Sequence, residues 1–435
     1  MESKPKQQKK EFNTVLLYIL IVLMVVTGST NTIATKTQMS LSAFNITYLH
    51  QWFITYGMFI GEMFSLIGYA ITQIQKRQKE KSKINDESLI TDGSEEGNHE
   101  PAKPEASNFI FASTAMCDLC ATTLNTFGIT YLSSSIYQMF RGFELLFIML
   151  FSKIFLGNKI YRHHALGVGS VITGLFCVGL TAVIYKGADA KNPYVGMLFL
   201  FCAQFFSSTQ YTIQEKLIKA YSVNSFQLVG FEGLWGALVY TLMLFIFQHV
   251  NCAGWSETLQ SLCIKNERNE WRLEDTLFAF RQMGENWKLM LAVITHVISI
   301  ALYNFVGINL TQLVSSTARA IVDTVRTVFV WLFFLIPTPI RVDGGKEDFH
   351  FLQLFGFILL ISGTLIYNEI VELKFWNLDY YTRTQIAKRE KLNEGNIDSE
   401  GKDERLYRTS NQSATESGTE EVPKSSGSEE VPTKE

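Results

Sequence analysis

Apolar residues along this chain fall into ten blocks, at 14–36, 50–74, 108–132, 133–156, 164–185, 193–217, 225–249, 287–310, 311–336 and 350–372, with polar stretches between most of them and the third and fourth, and the eighth and ninth, directly adjoining. Each block is close to the ~20 residues that a helix needs to cross a ~30 Å hydrocarbon core at 1.5 Å per residue. The pattern predicts an all-α integral membrane protein with ten transmembrane helices. The first block follows Lys4, Lys6, Lys9 and Lys10 and has the outline of a signal peptide. It is read as a retained span, because its polar end, Ser29-Thr30-Asn31, has a counterpart at Ser208-Thr209-Gln210 in the sixth block. All eight prolines lie in tails, loops or span ends, so no span is broken by proline. Gln75 to Ser107 is rich in Lys, Glu, Asp and Ser and lacks periodicity, which predicts a solvated, unstructured linker.

The blocks repeat. An offset of 179 residues carries Asn31 onto Gln210 and Asn125-x-x-Gly128-Ile129 onto Asn304-x-x-Gly307-Ile308, and an offset of 170 carries Glu62 onto Glu232. Laying Ser133 on Ser315 carries Arg141 onto Asp323 and Glu144 onto Arg326, a charge pair with its signs exchanged. Five spans per repeat is an odd number, so the second half enters from the opposite face and the ten helices form two inverted five-helix repeats. The expected organisation is a cytosolic tail (1–13), a first repeat (14–185) carrying the cytosolic linker 75–106, a second repeat (193–372) carrying a luminal loop (250–286), and a disordered cytosolic tail (373–435).

Charge changes the picture only through its placement. The formal net charge is −3, and, counted in short loops, Lys and Arg favour the N-terminal tail, the start of the linker and the 157–163 turn with Lys159 and Arg162, whereas the 34–49 loop has only Lys36 and the connection between the third and fourth spans none. By the positive-inside rule both termini are cytosolic. The 250–286 loop then faces an oxidising side, where Cys252 and Cys263 are disulfide candidates, and Asn45-Ile46-Thr47 on the same side is a glycosylation sequon. Cys117, Cys120, Cys177 and Cys202 lie in apolar runs and read as small packing residues. No basic patch with interleaved aromatics is present, so nucleic acid is not an expected partner.

Ionisable residues inside spans cost about 2.5–3.5 kcal/mol each on insertion scales, so their default reading is functional. Arg141 and Asp323 admit two readings: an ion pair holding the fourth and ninth spans in register, or a cavity lining in which Arg141 attracts an anionic group and Asp323 a proton or cation. Gln138, Glu144, Arg319 and Arg326 join them as candidates for substrate binding or gating. Glu62, Glu232 and Asp118 are candidates for proton coupling. Asn31, Gln210, Asn125 and Asn304 read as interhelical packing amides. His296 is a weaker relay candidate, and His163-His164 reads as a solvated pair, leaving no expected metal site and no expected cofactor. An intramembrane aspartyl protease built on Asp118 and Asp323 is disfavoured, because Ala-Ile-Val precedes Asp323 in place of Gly-x-Gly, and neither HExxH nor GxSxG occurs. A non-transporting scaffold has no need of an inverted repeat.

The stretches VTGSTNTIATK (26–36), QMFRG (138–142), VGFEGLWG (229–236) and STARAIVDTVRTV (316–328), with ITYLSSS and FLGNK, resemble the drug/metabolite transporter superfamily of EamA type. Within it the chain is most similar to solute carrier family 35, subfamily F, sixth-member branch. Glu144 departs from that pattern, where an apolar residue is usual. The resemblance implies a solute transporter of an endomembrane, lysosomal or vacuolar or Golgi, more distantly related to nucleotide-sugar carriers and to vacuolar carriers of the chloroquine-resistance type. The expected function is secondary transport of a small polar solute by alternating access with proton coupling, a nucleotide-sugar exchanger being the alternative. Expected partners are the solute and the lipid bilayer, with a homodimer as a further candidate.

Overall fold

The computed structural model describes residues 14–87, 104–132, 134–156, 161–184, 193–255, 260, 262–335, 349–367, 369, 371, 380–382, 385, 386, 388 and 389. The 1–13 tail, most of the linker (88–103), Ser133, the 157–160 turn and nearly all of the C-terminal tail lie outside the described residues. The chain divides into two units, Met1–Val371 and Glu372–Glu435. In the second, Arg389 Nε donates to the Gln385 carbonyl at 3.3 Å.

The first unit is built from helices α1 (Thr14–Ser40), α2 (Gln51–Met63), α3 (Ser65–Glu87), α4 (Phe111–Tyr131), α5 (Ser134–Phe140), α6 (Phe143–Leu156), α7 (Arg162–Ile184), α8 (Pro193–Ala220), α9 (Ser225–Phe247), α10 (Thr276–Glu285), α11 (Trp287–Leu313), α12 (Ser316–Leu335) and α13 (Phe351–Tyr367). Among the described residues, five stretches are long and apolar enough to cross a membrane: Val15–Ser40, Gln51–Ser82, Arg162–Thr181, Ser225–Phe247 and Trp287–Leu313. Their side chains are distributed as lipid solvent requires. Val22, Leu23 and Val26 on α1, Leu242, Phe245 and Ile246 on α9, and Ile294, Ile298 and Leu302 on α11 point outward and are exposed, whereas Gln38, Thr55, Thr114 and Ser208 are buried. A water-soluble core would have the opposite sense.

Several boundaries differ from those the apolar pattern predicts, each for a physical reason. The second span does not stop at 74: after a break at Phe64, α3 continues to Glu87, into the stretch expected as linker, because its Gln, Lys and Glu residues are strong helix formers. The fourth span is two helices, α5 and α6, separated by a turn at Arg141-Gly142 in which the Gly142 N–H bonds the Met139 carbonyl at 3.0 Å and the Glu144 N–H bonds the Arg141 carbonyl at 3.0 Å. A Cβ at Gly142 would stand 2.7 Å from Leu360 Cδ1, so the glycine lets this turn seat closely against α13 without moving that side chain.

Helix starts are fixed by side chains that take up the unpaired N–H groups of a first turn. Asn224 accepts from the Phe226 N–H at 2.9 Å at α9, Asp275 from the Phe278 N–H at 3.0 Å at α10, and Asn286 from the Lys288 N–H at 3.1 Å at α11. The closest helix partnerships are α1 with α11, α8 with α4, α2 with α9, and α7 with α13, while α6 packs on α8 and α12 on α1.

One end of the unit carries a cap. Strands β1 (Ser42–Ala43) and β2 (Ile46–Thr47) pair antiparallel through a turn in which Phe44 and Asn45 both have positive φ, leaving Asn45 exposed at the tip. Strands β3 (Ile264–Lys265) and β4 (Trp271–Arg272) form a second hairpin, and Cys252 and Cys263 are joined by a disulfide. Arg272 at 2.7 Å, helped by Asn266, holds the Glu270 carboxyl below its ordinary range. His50, fully buried, bridges the two loops: its Nδ1 lies 2.5 Å from Glu274 Oε1 and its Nε2 lies 3.0 Å from Gln282 Oε1. Gln282 in turn donates to the Ile46 carbonyl at 3.0 Å. Replacing Cys252 and Cys263 by serine removes a cross-link over 11 residues. It is expected to weaken the order of this loop by about 3 kcal/mol, or roughly a hundredfold in local opening. Limited proteolysis from the face that carries the disulfide checks it as faster cleavage between Cys252 and Cys263.

Candidate functional site

The turn at Arg141-Gly142 brings the Arg141 guanidinium to α12, where its Nη2 sits 2.9 Å from Asp323 Oδ2. Arg326, one turn further along α12, places its Nη2 3.0 Å from Asp323 Oδ1, and the Tyr303 hydroxyl of α11 donates to Oδ1 at 2.5 Å. Asp323 therefore accepts from two guanidiniums and a phenol, which is what a carboxylate 3% exposed requires to stay in place. Glu144 completes the group, with its carboxylate 3.9 Å from Arg141 Nη2 and accepting from Ser207 Oγ at 2.6 Å. Two arginines face two carboxylates, and the cluster is charge-balanced. The side chain of Gln138 lies outside the described part of the structure.

Arg319, on the same helix, organises a second group without touching a carboxylate directly. Its Nη1 donates to Gln214 Oε1 at 3.0 Å, and Gln214 Nε2 donates to both oxygens of Glu232 at 2.8 and 3.1 Å. Its Nη2 donates to Asn304 Oδ1 at 3.2 Å, and Asn304 Nδ2 donates to Glu62. The guanidinium plane lies 3.9 Å from the Tyr211 ring, a cation–π contact in a buried site. Two amides thus relay one arginine to two carboxylates. Asp118, a third acid, has Oδ1 bonded by Thr122 Oγ1 at 3.0 Å, while its Oδ2 has no partner among the described residues.

Glycines cut the notches that hold these arginines. A Cβ at Gly28 on α1 would overlap Arg326 Cδ and stand 2.9 Å from Tyr303 Cδ2, and one at Gly307 on α11 would stand 2.5 Å from Arg319 Nε. Between the two charged groups lies a polar cavity of about 90 Å³. Its walls include Asp118, Arg141 and Arg326, with His296 and Tyr303 of α11 and Ser207 of α8. All four amides of the 179-residue repeat, Asn31, Gln210, Asn125 and Asn304, also line it. Asp323 and Glu144 border a smaller void of about 10 Å³ behind Arg141. Glu62, Glu232 and Arg319 stand behind the cavity wall, reaching it through Asn304.

Residues 15–180 match the EamA-like transporter family and residues 108–267 match solute carrier family 35. The "Solute carrier family 35 member F6" of Rattus norvegicus is 30% identical over 358 residues, covering 80% of this chain and 87% of the relative. The protein of the same name from Homo sapiens gives the same identity and coverage. An uncharacterized protein of Schizosaccharomyces pombe is 32% identical over 288 residues, covering 64% of this chain and 79% of its own length. The chain belongs to solute carrier family 35. It is a multi-pass membrane transporter of the EamA type and not an enzyme.

Within this solute carrier, the described residues correct one expectation. His163 and His164 are not a solvated pair: His163 is 3% exposed, its Nε2 lies 3.2 Å from Glu369 Oε1, and His164 Nε2 lies 3.8 Å from the same oxygen. The close packing of α7 on α13 carries the chain after α13 back over the start of α7, which buries them. His163, His164 and Glu369 lie within ligand reach of one another. The Tyr161 N–H, however, donates to His164 Nδ1 at 3.0 Å, so the ring proton sits on Nε2 and His164 is oriented to donate to Glu369.

Sequence reasoning missed three members of the solute carrier's site. Gln214 lies one turn beyond Gln210 on α8, where a helical wheel through Gln210 would have placed it on the same face, and Tyr211 directly follows Gln210. Tyr303 precedes Asn304 and carried no distinguishing signal of its own. His296 is buried with its Nδ1 3.0 Å from Thr35 Oγ1.

Proposed function

We propose that this carrier moves a small polar solute by alternating access between two inverted five-helix halves, ten spans in all, with protons coupled to solute movement. The observation that carries the reading is the central polar cavity, lined by residues that the 179-residue offset relates in pairs. The helix partnerships support the inversion. Exchanging each helix for its counterpart turns α1 with α11 into α8 with α4, turns α6 with α8 into α12 with α1, and returns α2 with α9 and α7 with α13 to themselves.

Charge balance directs the choice of solute. Arg141, Arg326, Asp323 and Glu144 neutralise one another, whereas Arg319 is set against three acids, Glu62, Glu232 and Asp118. The second group is completed by a cationic group of the solute or by protons. A solute carrying an amine that meets Asp118 and a carboxylate that meets the Arg141 and Arg326 forks satisfies both walls, which favours an amino acid or short peptide. The two arginines on the cavity wall also support the alternative, an anionic solute such as a nucleotide sugar. The carrier is expected in an endomembrane, lysosomal or vacuolar or Golgi, with both termini cytosolic.

Uptake into proteoliposomes with and without a pH gradient separates these readings. The proposal expects amino-acid or peptide flux that a pH gradient accelerates, and at least a tenfold loss of that gradient dependence in Glu232→Gln. Nucleotide-sugar exchange indifferent to the gradient would overturn it.

A further inference from the structure

Two charged residues that the cavity does not use sit at equivalent places in the two halves. Lys36, near the end of α1, donates through Nζ to the Ile129 carbonyl at 2.9 Å and to the Leu132 carbonyl at 3.2 Å. These carbonyls close the C-terminus of α4, where the last turn has no helical partners and the helix dipole is negative. Glu215, on α8, accepts through Oε2 from the Ser316 N–H at 3.0 Å and from the Ser316 hydroxyl. Ser316 opens α12, where the N–H groups are unpaired and the dipole is positive. Lys219 braces the other oxygen of Glu215 at 2.5 Å.

The offset that relates Lys36 to Glu215 is again 179, the one that pairs the cavity amides. Their targets also correspond. The corner between α4 and α5, at 132–134, maps onto the corner between α11 and α12, at 314–316, by the offset that pairs Arg141 with Asp323. Each latch thus grips the same corner of its own half. Lys36 holds the helix that ends there and Glu215 the helix that begins there, so the two need opposite charges.

The latches lie at opposite ends of α4. Lys36 binds its C-terminus, whereas the chain just beyond Glu215 reaches its N-terminal approach, where the Ser222 N–H donates to the Pro104 carbonyl at 3.0 Å. With Gln204 bonded to Asn125 and α8 antiparallel to α4, Glu215 lies ~16 Å from that level toward the start of α4 and the Lys36 contacts ~6–10 Å toward its end at 1.5 Å per residue, a separation of about 25 Å along the helices. The polar cavity stands between them, and both latches are engaged at once.

We propose that Lys36 and Glu215 are the two gate latches of one transport cycle: releasing Lys36 opens the cavity to the non-cytosolic face, and releasing Glu215 opens it to the cytosol. The proposal rests on the alternating-access reading above. Alternation then requires that one latch break while the other holds, and the occluded state is the one in which both are made.

The test uses the full chain in sealed vesicles of each orientation, with Cys117, Cys120, Cys177 and Cys202 replaced by alanine and Ser207→Cys as reporter on the cavity wall. A membrane-impermeant maleimide is added from one face at a time. Lys36→Met is expected to raise the ratio of non-cytosolic to cytosolic labelling by about tenfold or more, as losing two hydrogen bonds to a charged donor should. Glu215→Met is expected to lower that ratio by a similar factor, and the double variant to return it toward the parent. Should either methionine variant fail to fold, Lys36→Arg and Glu215→Asp, which keep charge and change reach, carry the same signs. A ratio unchanged in variants whose parent is labelled from both faces would overturn the latch assignment alone. A parent labelled from only one face under all conditions would instead overturn alternating access itself.

Discussion

Asp323→Ala is expected to abolish transport and to destabilise the folded carrier by about 3–5 kcal/mol, the cost of removing one partner from a buried ionic group. The carboxylate now accepts from Arg141 at 2.9 Å, from Arg326 at 3.0 Å and from the Tyr303 hydroxyl at 2.5 Å. Its loss would leave two guanidiniums facing each other with Glu144 as the remaining anion, and that carboxylate is 3.9 Å from Arg141. Arg141→Ala should be milder for stability, since Asp323 keeps Arg326 and Tyr303, yet equally severe for flux. Exchanging only Arg141 and Asp323 is not a clean test of a structural pair, because it would set like charges beside Glu144 and beside Arg326. Arg141→Lys separates the roles better. It keeps the charge but loses the planar fork that binds a carboxylate through two hydrogen bonds. The expected outcome is thermal stability within about 1 kcal/mol of the parent, with proteoliposome flux reduced at least tenfold. Normal flux in Arg141→Lys would reduce the cluster to a helix tie.

How far the site was legible in the sequence follows from what each residue had to contrast with. Arg141, Asp323 and Arg326 stood out because a full charge inside an apolar run has few structural excuses. The structure joins both arginines to Asp323, Arg141 at 2.9 Å and Arg326 at 3.0 Å. Asn31, Gln210, Asn125 and Asn304 were visible as repeats, but as neutral amides they read as packing groups, and only the fold shows that all four face one cavity. Lys36 and Glu215 were invisible for a different reason. Each lies near a helix end, where a charge normally means solvent, and nothing in a linear pattern reports that its side chain turns back onto the end of another helix. The break at Arg141-Gly142 was hidden by the apolar run that continues through it. The continuation of α3 to Glu87 was hidden by the opposite bias, since Lys- and Glu-rich sequence is compatible with both solvated coil and solvated helix.

Gly174→Ala should separate α7 from α13, although it adds a single methyl group to a helix interior where alanine is ordinarily the better residue. The two helices cross antiparallel on reciprocal glycines. A Cβ at Gly174 would stand 2.5 Å from the Gly356 carbonyl oxygen and 2.8 Å from the Leu360 nitrogen, and one at Gly363 would stand 2.5 Å from the Gly167 carbonyl oxygen. Those obstacles are backbone atoms, so no side chain can rotate away and the helices themselves must part. Parting them would stretch the bond from Ser170 Oγ to the Leu359 carbonyl, now 2.8 Å, and the contact of His163 with Glu369, now 3.2 Å. Overpacking of this kind costs about 1–3 kcal/mol, against a gain of up to about 1 kcal/mol from helix propensity, so the net sign is a loss. Gly169 on the same helix supplies the control, because a Cβ there meets nothing within 4 Å. Gly169→Ala should therefore keep the propensity gain and unfold at a slightly higher temperature than the parent, while Gly174→Ala unfolds lower. Thermal unfolding of the two variants side by side reads the difference as opposite shifts in Tm. Shifts of the same sign would mean that α7 and α13 do not meet backbone to backbone, and that the glycines serve some purpose other than close approach.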